Sequence, residues 1–268
     1  MGIKIVEKIN RYRPWLKVGL PLAIMVVAMM VGAGVFRWRS GEVWVVPKVP
    51  SGARAEVPNK VFRRSVEGKK LVALTFDDGP SPETTPELLD VLMEKDVMAT
   101  FFELGFKVEK NPEITQRAAR EGHEIGSHTM WHQNLIRVTK GVAEDDIETA
   151  KEVFREVLGE DVELTRMPYG NSNKFTAEVA GTPLIYWSVD TRDWESLNSE
   201  AVAEQTMDAV YDGAIVLMHD IHPSTVEAVP EVVDELREEG YEFVTVSELA
   251  ELRGVELEDG ETYFGFGL

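Results

Sequence analysis

The chain has 268 residues, 44% hydrophobic and 28% charged, enough for one large domain or two small ones with a sizeable core. It has no cysteine, which excludes a disulfide framework and a thiolate metal site. Residues 1–64 carry 12 Lys and Arg against 3 Asp and Glu, whereas residues 65–268 carry 16 against 44, so the second region repels phosphate and argues against nucleic acid as a partner.

The chain opens with Lys4, Lys8, Arg11, Arg13 and Lys17, followed by nineteen uncharged residues from Val18 to Phe36, long enough to cross a bilayer. The expected layout is a basic cytoplasmic segment at 1–17, a single transmembrane helix at 18–36, and an extracellular linker at 37–67. Cleavage of a signal peptide after Val31-Gly32-Ala33, giving a secreted protein, is the alternative. Pro47, Pro50, Ser51, Gly52 and Pro58 mark the linker as a tether without periodic structure.

Beyond residue 68 short apolar runs alternate with amphipathic stretches. Strands are expected at Leu71 to Asp77, Val97 to Leu104, Glu124 to Thr129, Leu164 to Tyr169, Pro183 to Asp190, Ala214 to Asp220 and Tyr241 to Ser247. Helices are expected at Thr85 to Lys95, Val142 to Leu158, Ala201 to Tyr211 and Thr225 to Glu239. The alternation predicts an α/β fold, a distorted (β/α) barrel of about seven parallel strands over 68–252, with 253–268 as a C-terminal tail. A doubly wound open sheet is the other architecture with this pattern, and in both, functional groups gather at the carboxyl ends of strands.

Those ends carry polar chemistry. The first strand runs into Asp77 and Asp78, and Gly79-Pro80 then turns the backbone out of the sheet. Adjacent carboxylates repel unless a cation or a pKa offset uses them, although Asp-Asp-Gly-Pro also reads as a solvated turn. His128 and His132 lie four residues apart beyond the third strand, a spacing that on a helical turn puts both rings on one face. Two neutral imidazoles and one carboxylate form a set suited to Zn²⁺ or another divalent ion; a histidine pair at this spacing is otherwise surface decoration. Arg166, Pro168 and Tyr169 end the fourth strand, where the arginine can hold a carboxylate ionised and turn amides can face an oxyanion, or form an ordinary structural salt bridge. Asp190, Asp193 and Trp194 offer carboxylates to orient a histidine and an aromatic wall for a sugar face. Leu217, Met218 and His219 end a buried strand, a position for a general acid or for a satisfied core histidine.

In combination these segments resemble the polysaccharide deacetylase domain of carbohydrate esterase family 4, also seen in chitooligosaccharide deacetylases. The resemblance rests on Thr75-Phe76-Asp77-Asp78-Gly79-Pro80, His128-Thr129-Met130-Trp131-His132, Arg166-Met167-Pro168-Tyr169, Asp190 to Trp194 and Leu217 to Asp220, and covers about residues 68 to 252. Met167 stands where the family pattern usually has proline. With the N-terminal span and the run His219-Asp220-Ile221-His222-Pro223, the chain looks most like membrane-anchored peptidoglycan N-acetylglucosamine deacetylases of Gram-positive bacteria.

The resemblance implies hydrolysis of N-acetyl groups with release of acetate, by a site holding one divalent ion, Zn²⁺ first and Co²⁺, Mn²⁺ or Ni²⁺ as alternatives. Asp78, His128 and His132 would bind the ion, Asp77 would act as base and His219 as acid. Arg166 would tune Asp77, and Asp193 or Asp190 would tune His219 or Arg166. The backbone N–H of Tyr169 would face the oxyanion after Pro168, and Trp194 with Leu217 would receive the acetyl methyl. Cell-wall glycan and the membrane are the implied partners, with no obligate protein partner. Other GlcNAc polymers, an O-acetyl xylan ester and a non-catalytic glycan-binding module are the alternatives. A zinc peptidase is disfavoured because no glutamate follows His128.

Overall fold

The computed structural model describes residues 68–267, so the expected segments at 1–67, the membrane span among them, lie outside the described residues. Among the described residues no helix is long and apolar enough to cross a membrane.

Strand β1 (Lys70–Asp77) is buried from Leu71 onward, as its unbroken apolar run requires of a strand covered on both faces. Helix α1 (Thr85–Glu94) leads to β2 (Thr100–Glu103), α2 (Gly105–Lys110), α3 (Pro112–Glu121) and β3 (Glu124–Ser127). The long α4 (Lys140–Leu158) and short α5 (Lys174–Ala180) precede β4 (Leu184–Ile185) and β5 (Val189–Asp190). Then come α6 (Asp193–Ser196), α7 (Ser199–Ala209), β6 (Ala214–His219), α8 (Pro223–Glu238), β7 (Tyr241–Phe243), α9 (Val246–Leu252) and β8 (Thr262–Tyr263).

The main sheet is parallel, in the order β3-β2-β1-β6-β5, with β7 on the first residues of β1 along the flank that β2 takes at its end. Single bridges carry the ladder onward from Ser127 to Thr165 and from Thr165 to Leu184. The result is an α/β fold with a parallel sheet, and its bridging from β3 round to β4 is consistent with a distorted barrel.

Because side chains alternate along a strand, the sheet faces two cores. Val72, Leu74, Phe76, Val216 and Met218 pack under the helices with Leu88, Leu92, Val229 and Val233. Leu71, Ala73, Phe102, Ile185 and Ile215 pack on the inner side with Val246 and Leu249. Asp77 continues the inner row of β1, and its register partner on β6 is His219.

Several expected elements differ. The strand expected at Leu164 to Tyr169 contracts to the bridging residue Thr165, because Pro168 has no N–H and Pro168–Gly170 form a tight turn with Tyr169 at φ 63°. The strand expected at Pro183 to Asp190 is broken into β4 and β5. The strand expected at Tyr241 to Ser247 stops at Phe243, and Thr245 starts α9 with a reciprocal capping box to Glu248. The stretch expected as a tail from 253 closes the domain instead: β8 pairs with β4, and buried Phe266 donates its N–H to Gly213 O at 2.8 Å.

Candidate active site

Asp77 and His219 are brought side by side by the β1–β6 register, on the inner face at the carboxyl end of the sheet. One level down the same register pairs Thr75 with Leu217. Arg166 is buried completely beneath them. Its Nη1 donates to Asp77 Oδ1 at 2.7 Å and to Thr75 Oγ1 at 2.8 Å, while Nε and Nη2 donate to the carbonyls of Ile185 and Tyr186, each at 3.0 Å. The Phe102 ring lies 4.1 Å from the guanidinium carbon, closing a dry cage around the cation. Burial pushes the Asp77 carboxyl above its ordinary range, and Arg166 pulls it part of the way back. Such a carboxylate can accept a proton and release it.

His219 is held through its other nitrogen. Asp193 Oδ1 lies 2.8 Å from Nδ1, and Asp193 Oδ2 accepts from the His219 N–H at 2.6 Å and from Thr225 Oγ1 at 2.7 Å. A carboxylate can only accept here, so Nδ1 carries hydrogen and Nε2 is the end left for chemistry. Burial alone would lower the pKa of His219, but the Asp193 hydrogen bond and charge, with Asp77 and Asp78 beyond, raise it to about 9. The ring is therefore a cation at neutral pH, able to donate a proton.

Asp78, His128 and His132 place one ligand atom each within 4.8 Å of one another. Asp78 Oδ1 stands 3.6 Å from His128 Nε2 and 3.3 Å from His132 Nε2, and it is buried with no hydrogen-bond partner. His128 Nδ1 lies 2.7 Å from the carbonyl of Arg166, which can only accept, so its Nε2 carries the lone pair. Burial holds the His128 pKa near 3 and keeps the ring neutral. An orphaned carboxylate oxygen facing two imidazoles, one with its tautomer fixed for ligation, fits a divalent cation. The pair does not share a helical face as expected: Thr129 at φ 68° and His132 at φ 54° turn the loop left-handed, and this turn brings the rings to 5.1 Å. Asp78, at φ 73°, turns in the same way. Asp77 Oδ2 is 3.8 Å from His128 Nε2, so the two adjacent carboxylates both come near the same imidazole nitrogen.

Of the remaining expected residues, Pro168 and Leu217 are buried, whereas Tyr169 and Trp194 are 61% and 51% exposed. The Tyr169 ring packs against His132 with centroids 4.7 Å apart. The choice left open between Asp190 and Asp193 falls to Asp193, because Asp190 is exposed and its carboxylate accepts from the Arg192 N–H instead.

Sequence reasoning missed the layer behind these groups. Thr75 and Thr225 complete the hydrogen bonds of Arg166 and Asp193, and period two along β1 would have put Thr75 on the face of Asp77. Asp220 is buried, accepts from Thr85 Oγ1, and lies so close to Gly79 that a Cβ there would sit 2.2 Å from its Oδ2. The main-chain N–H of Ser81 donates to the same Thr85 hydroxyl at 2.8 Å, tying the turn after Asp78 to the end of β6.

Residues 64–182 match the family described as Polysaccharide deacetylase. A peptidoglycan-N-acetylglucosamine deacetylase, PgdA, of Listeria monocytogenes is 44% identical over 196 residues, which are 73% of this chain and 41% of that protein; the chain thus spans less than half of that relative. A peptidoglycan-N-acetylglucosamine deacetylase of Bacillus cereus is 39% identical over 72% of this chain and 91% of its own length. Among solved structures, a family 4 acetyl xylan esterase from Clostridium thermocellum in complex with a cobalt ion is similar with a TM-score of 0.70 and 31% identity, over 74% of this chain and all of that one. With a relative of this identity matched along nearly its whole length, the chain belongs to the polysaccharide deacetylase family.

Proposed function

We propose that the chain hydrolyses the N-acetyl group of N-acetylglucosamine residues in peptidoglycan and releases acetate, with Zn²⁺ held by Asp78, His128 and His132. The observation that carries this reading is the convergence of a buffered carboxylate and a cationic imidazole, in register on adjacent strands, beside an orphaned Asp-His-His set. The names of the Listeria and Bacillus relatives support the substrate. The cobalt ion of the Clostridium structure supports a divalent cation as cofactor and leaves its identity to experiment.

When bound, the cation supplies Lewis-acid polarisation of the acetyl carbonyl and lowers the pKa of water. The rest belongs to the chain. Asp77 Oδ2 takes a proton from the attacking water, while Arg166 keeps Oδ1 engaged and the carboxylate oriented. The backbone N–H of Tyr169 faces the developing oxyanion. His219 delivers the proton at Nε2 to the departing amine as the C–N bond breaks, and Asp193 stabilises the ring in its charged form. The products are acetate and the free glucosamine amine. Leu217 and Trp194 flank the acetyl methyl. The charge-free span at 18–36 would anchor the enzyme in the cell membrane with its catalytic domain outside, against its wall substrate.

The test is acetate release from purified peptidoglycan, chitooligosaccharide and acetylated xylan by the full chain, before and after chelation, with Zn²⁺, Co²⁺, Mn²⁺ and Ni²⁺ restored separately. Chelation-sensitive release from peptidoglycan is expected. Release from acetylated xylan alone would replace the reading with an esterase.

A further inference from the structure

A shelf of aromatic and cationic side chains, with Trp131 and Lys110 exposed and Phe106 and Lys107 half-buried, borders the metal-ligating loop and takes no part in the mechanism above. Trp131, the residue before His132, is 54% exposed. Its indole stacks on the ring of Phe106, with centroids 5.6 Å apart and planes within 15°. Lys110, four residues beyond Phe106 and so on the same side of α2, holds its ammonium 5.2 Å from the Phe106 centroid. The shelf is fixed to the site by main-chain bonds: Gly105 N–H donates to Thr129 O at 2.9 Å and Phe106 N–H to Met130 O at 3.2 Å. Gly105 permits this approach, since a Cβ there would meet Met130 Sδ at 2.6 Å.

Charge gives the shelf its second character. Lys107 and Lys110 make no ion pair among the described residues, although residues 65–268 hold 44 carboxylates against 16 Lys and Arg. Lys107 also acts on the site side of α2, where burial raises the Asp220 carboxyl to about 7 against the pull of the Lys107 charge, and burial lowers His222 with that charge adding to the effect. Two unpaired ammonium groups beside a flat aromatic face, in a domain otherwise short of positive charge, match a ligand that is part pyranose ring and part carboxylate.

We propose that Trp131, Phe106, Lys107 and Lys110 form a subsite for the neighbouring sugar of the same glycan chain, one that bears a carboxylate. The apolar face of that pyranose lies on Trp131, and its carboxylate is met by the ammonium groups. In a peptidoglycan strand stripped of its peptides, whose amide bonds otherwise take up the lactyl carboxyl, this describes the lactyl-substituted sugar that alternates with N-acetylglucosamine, so the proposal rests on the deacetylase reading and narrows its substrate to such strands.

Binding and turnover separate the two claims. Affinity of the metal-loaded full chain is measured by indole fluorescence for two probes of equal length, a neutral chitotetraose and a peptide-free peptidoglycan tetrasaccharide with free lactyl carboxylates, at low and high salt; acetate release is measured alongside. The expected result is tighter binding of the anionic probe, by about threefold to tenfold for two surface charge pairs, with the preference shrinking as salt rises. Lys107→Gln with Lys110→Gln should erase the preference. Trp131→Ala should weaken both probes by roughly threefold to tenfold, with Trp131→Phe intermediate and far-ultraviolet circular dichroism unchanged. Equal affinity for the two probes, or a preference that survives the double substitution, overturns the subsite whatever the turnover. A preference that behaves as expected without acetate release upholds the subsite and overturns the deacetylase reading instead.

Discussion

The two halves of the site are built by opposite means. Asp77, Arg166 and Asp193 are deeply buried and His219 largely so, on or against strands, and they are held by one another and by Thr75, Thr225 and main-chain carbonyls, with only Asp77 Oδ2 and His219 Nε2 left over. Asp78, His128 and His132 ride on turns, two of them at positive φ, and leave a buried carboxylate oxygen facing two imidazole nitrogens with no partner. The first half is complete in the protein alone, whereas the second is satisfied only by something added. Proton transfer needs partners whose pKa values are fixed in advance, and a metal centre needs ligands that stay uncommitted until the ion arrives.

The sharpest way to break this comparison is to change the two neighbouring aspartates separately. Asp77→Asn keeps the shape but removes the proposed base, and turnover should fall by about 10²-fold to 10⁴-fold while metal content, read by atomic spectroscopy, stays near one equivalent. Asp78→Asn should lose activity through loss of the metal itself. Equal metal loss in both variants would sink the division of labour between them. His219→Ala belongs with Asp77→Asn, retaining metal and losing roughly 10²-fold or more in turnover. A normal rate in that variant removes His219 as the acid.

Asp193→Asn tests the proton half more finely, because it leaves His219 in place. Without the carboxylate, burial dominates and the pKa of His219 must drop well below its present value of about 9. Turnover should fall with it, by about 10²-fold or more at neutral pH. Nuclear magnetic resonance titration of the imidazole reads the shift directly. The sign of the accompanying stability change is fixed: the folded-state value of about 9 exceeds the ordinary 6.5, so the contribution of His219 is complete below about 6.5 and is lost as pH rises through about 9. Denaturation midpoints should follow that course in the parent and flatten in Asp193→Asn. Loading the metal should lower the His219 value, since Asp78 is among the charges that raise it. An unchanged titration on loading would mean that the halves are electrostatically independent.

The strand-borne half is also the more legible in the sequence. A parallel strand buried on both faces reads as an unbroken apolar run, so the ends of β1 and β6, and with them Asp77 and His219, can be located from the order of residues alone. Register supplies what that order does not: Asp193 rather than Asp190 reaches His219, because α6 begins with Asp193 against the end of β6 while Asp190 faces solvent. The turn-borne half is legible in composition and misleading in conformation. The four-residue spacing of His128 and His132 suggests a helical face, and left-handed residues deliver the same convergence by another path. The helices α5 and α9, of seven residues each, are too short for their periodicity to stand out, although their caps are written in the chain, as Asn173 with Thr176 and Thr245 with Glu248; α3, as long as α1 and closed by Gly122 at φ 98°, is legible yet absent from the expected helices. Val244, Thr245 and Val246 at the start of α9 argue for strand by propensity, and the capping box outweighs them. The short β4 and β8 depend on pairing across some 80 residues, which no local pattern announces.

The smallest expected effect lies at the seam between the halves. Gly79 is outside the left-handed region, so alanine there is limited by space alone: its Cβ would fall 2.2 Å from Asp220 Oδ2 and 2.7 Å from the carboxyl carbon. Asp220 cannot simply swing away, because Thr85 Oγ1 donates to its side chain and Thr84 Oγ1 donates to its carbonyl at 2.5 Å. The turn must therefore give, and Asp78 with it. Gly79→Ala should cost about 1–3 kcal/mol of stability, as overpacking does, and weaken metal binding by roughly tenfold to a hundredfold, as loss of ligand support does. Asp220→Ala frees the space while removing the tether to Thr85. If the carboxylate is what forbids the methyl group, the cost of Gly79→Ala must shrink in the Asp220→Ala background, so the two substitutions are less than additive in both denaturation and metal titration. Strict additivity would mean that the turn yields without Asp220, and that the strand-borne half does not brace the metal loop through this contact.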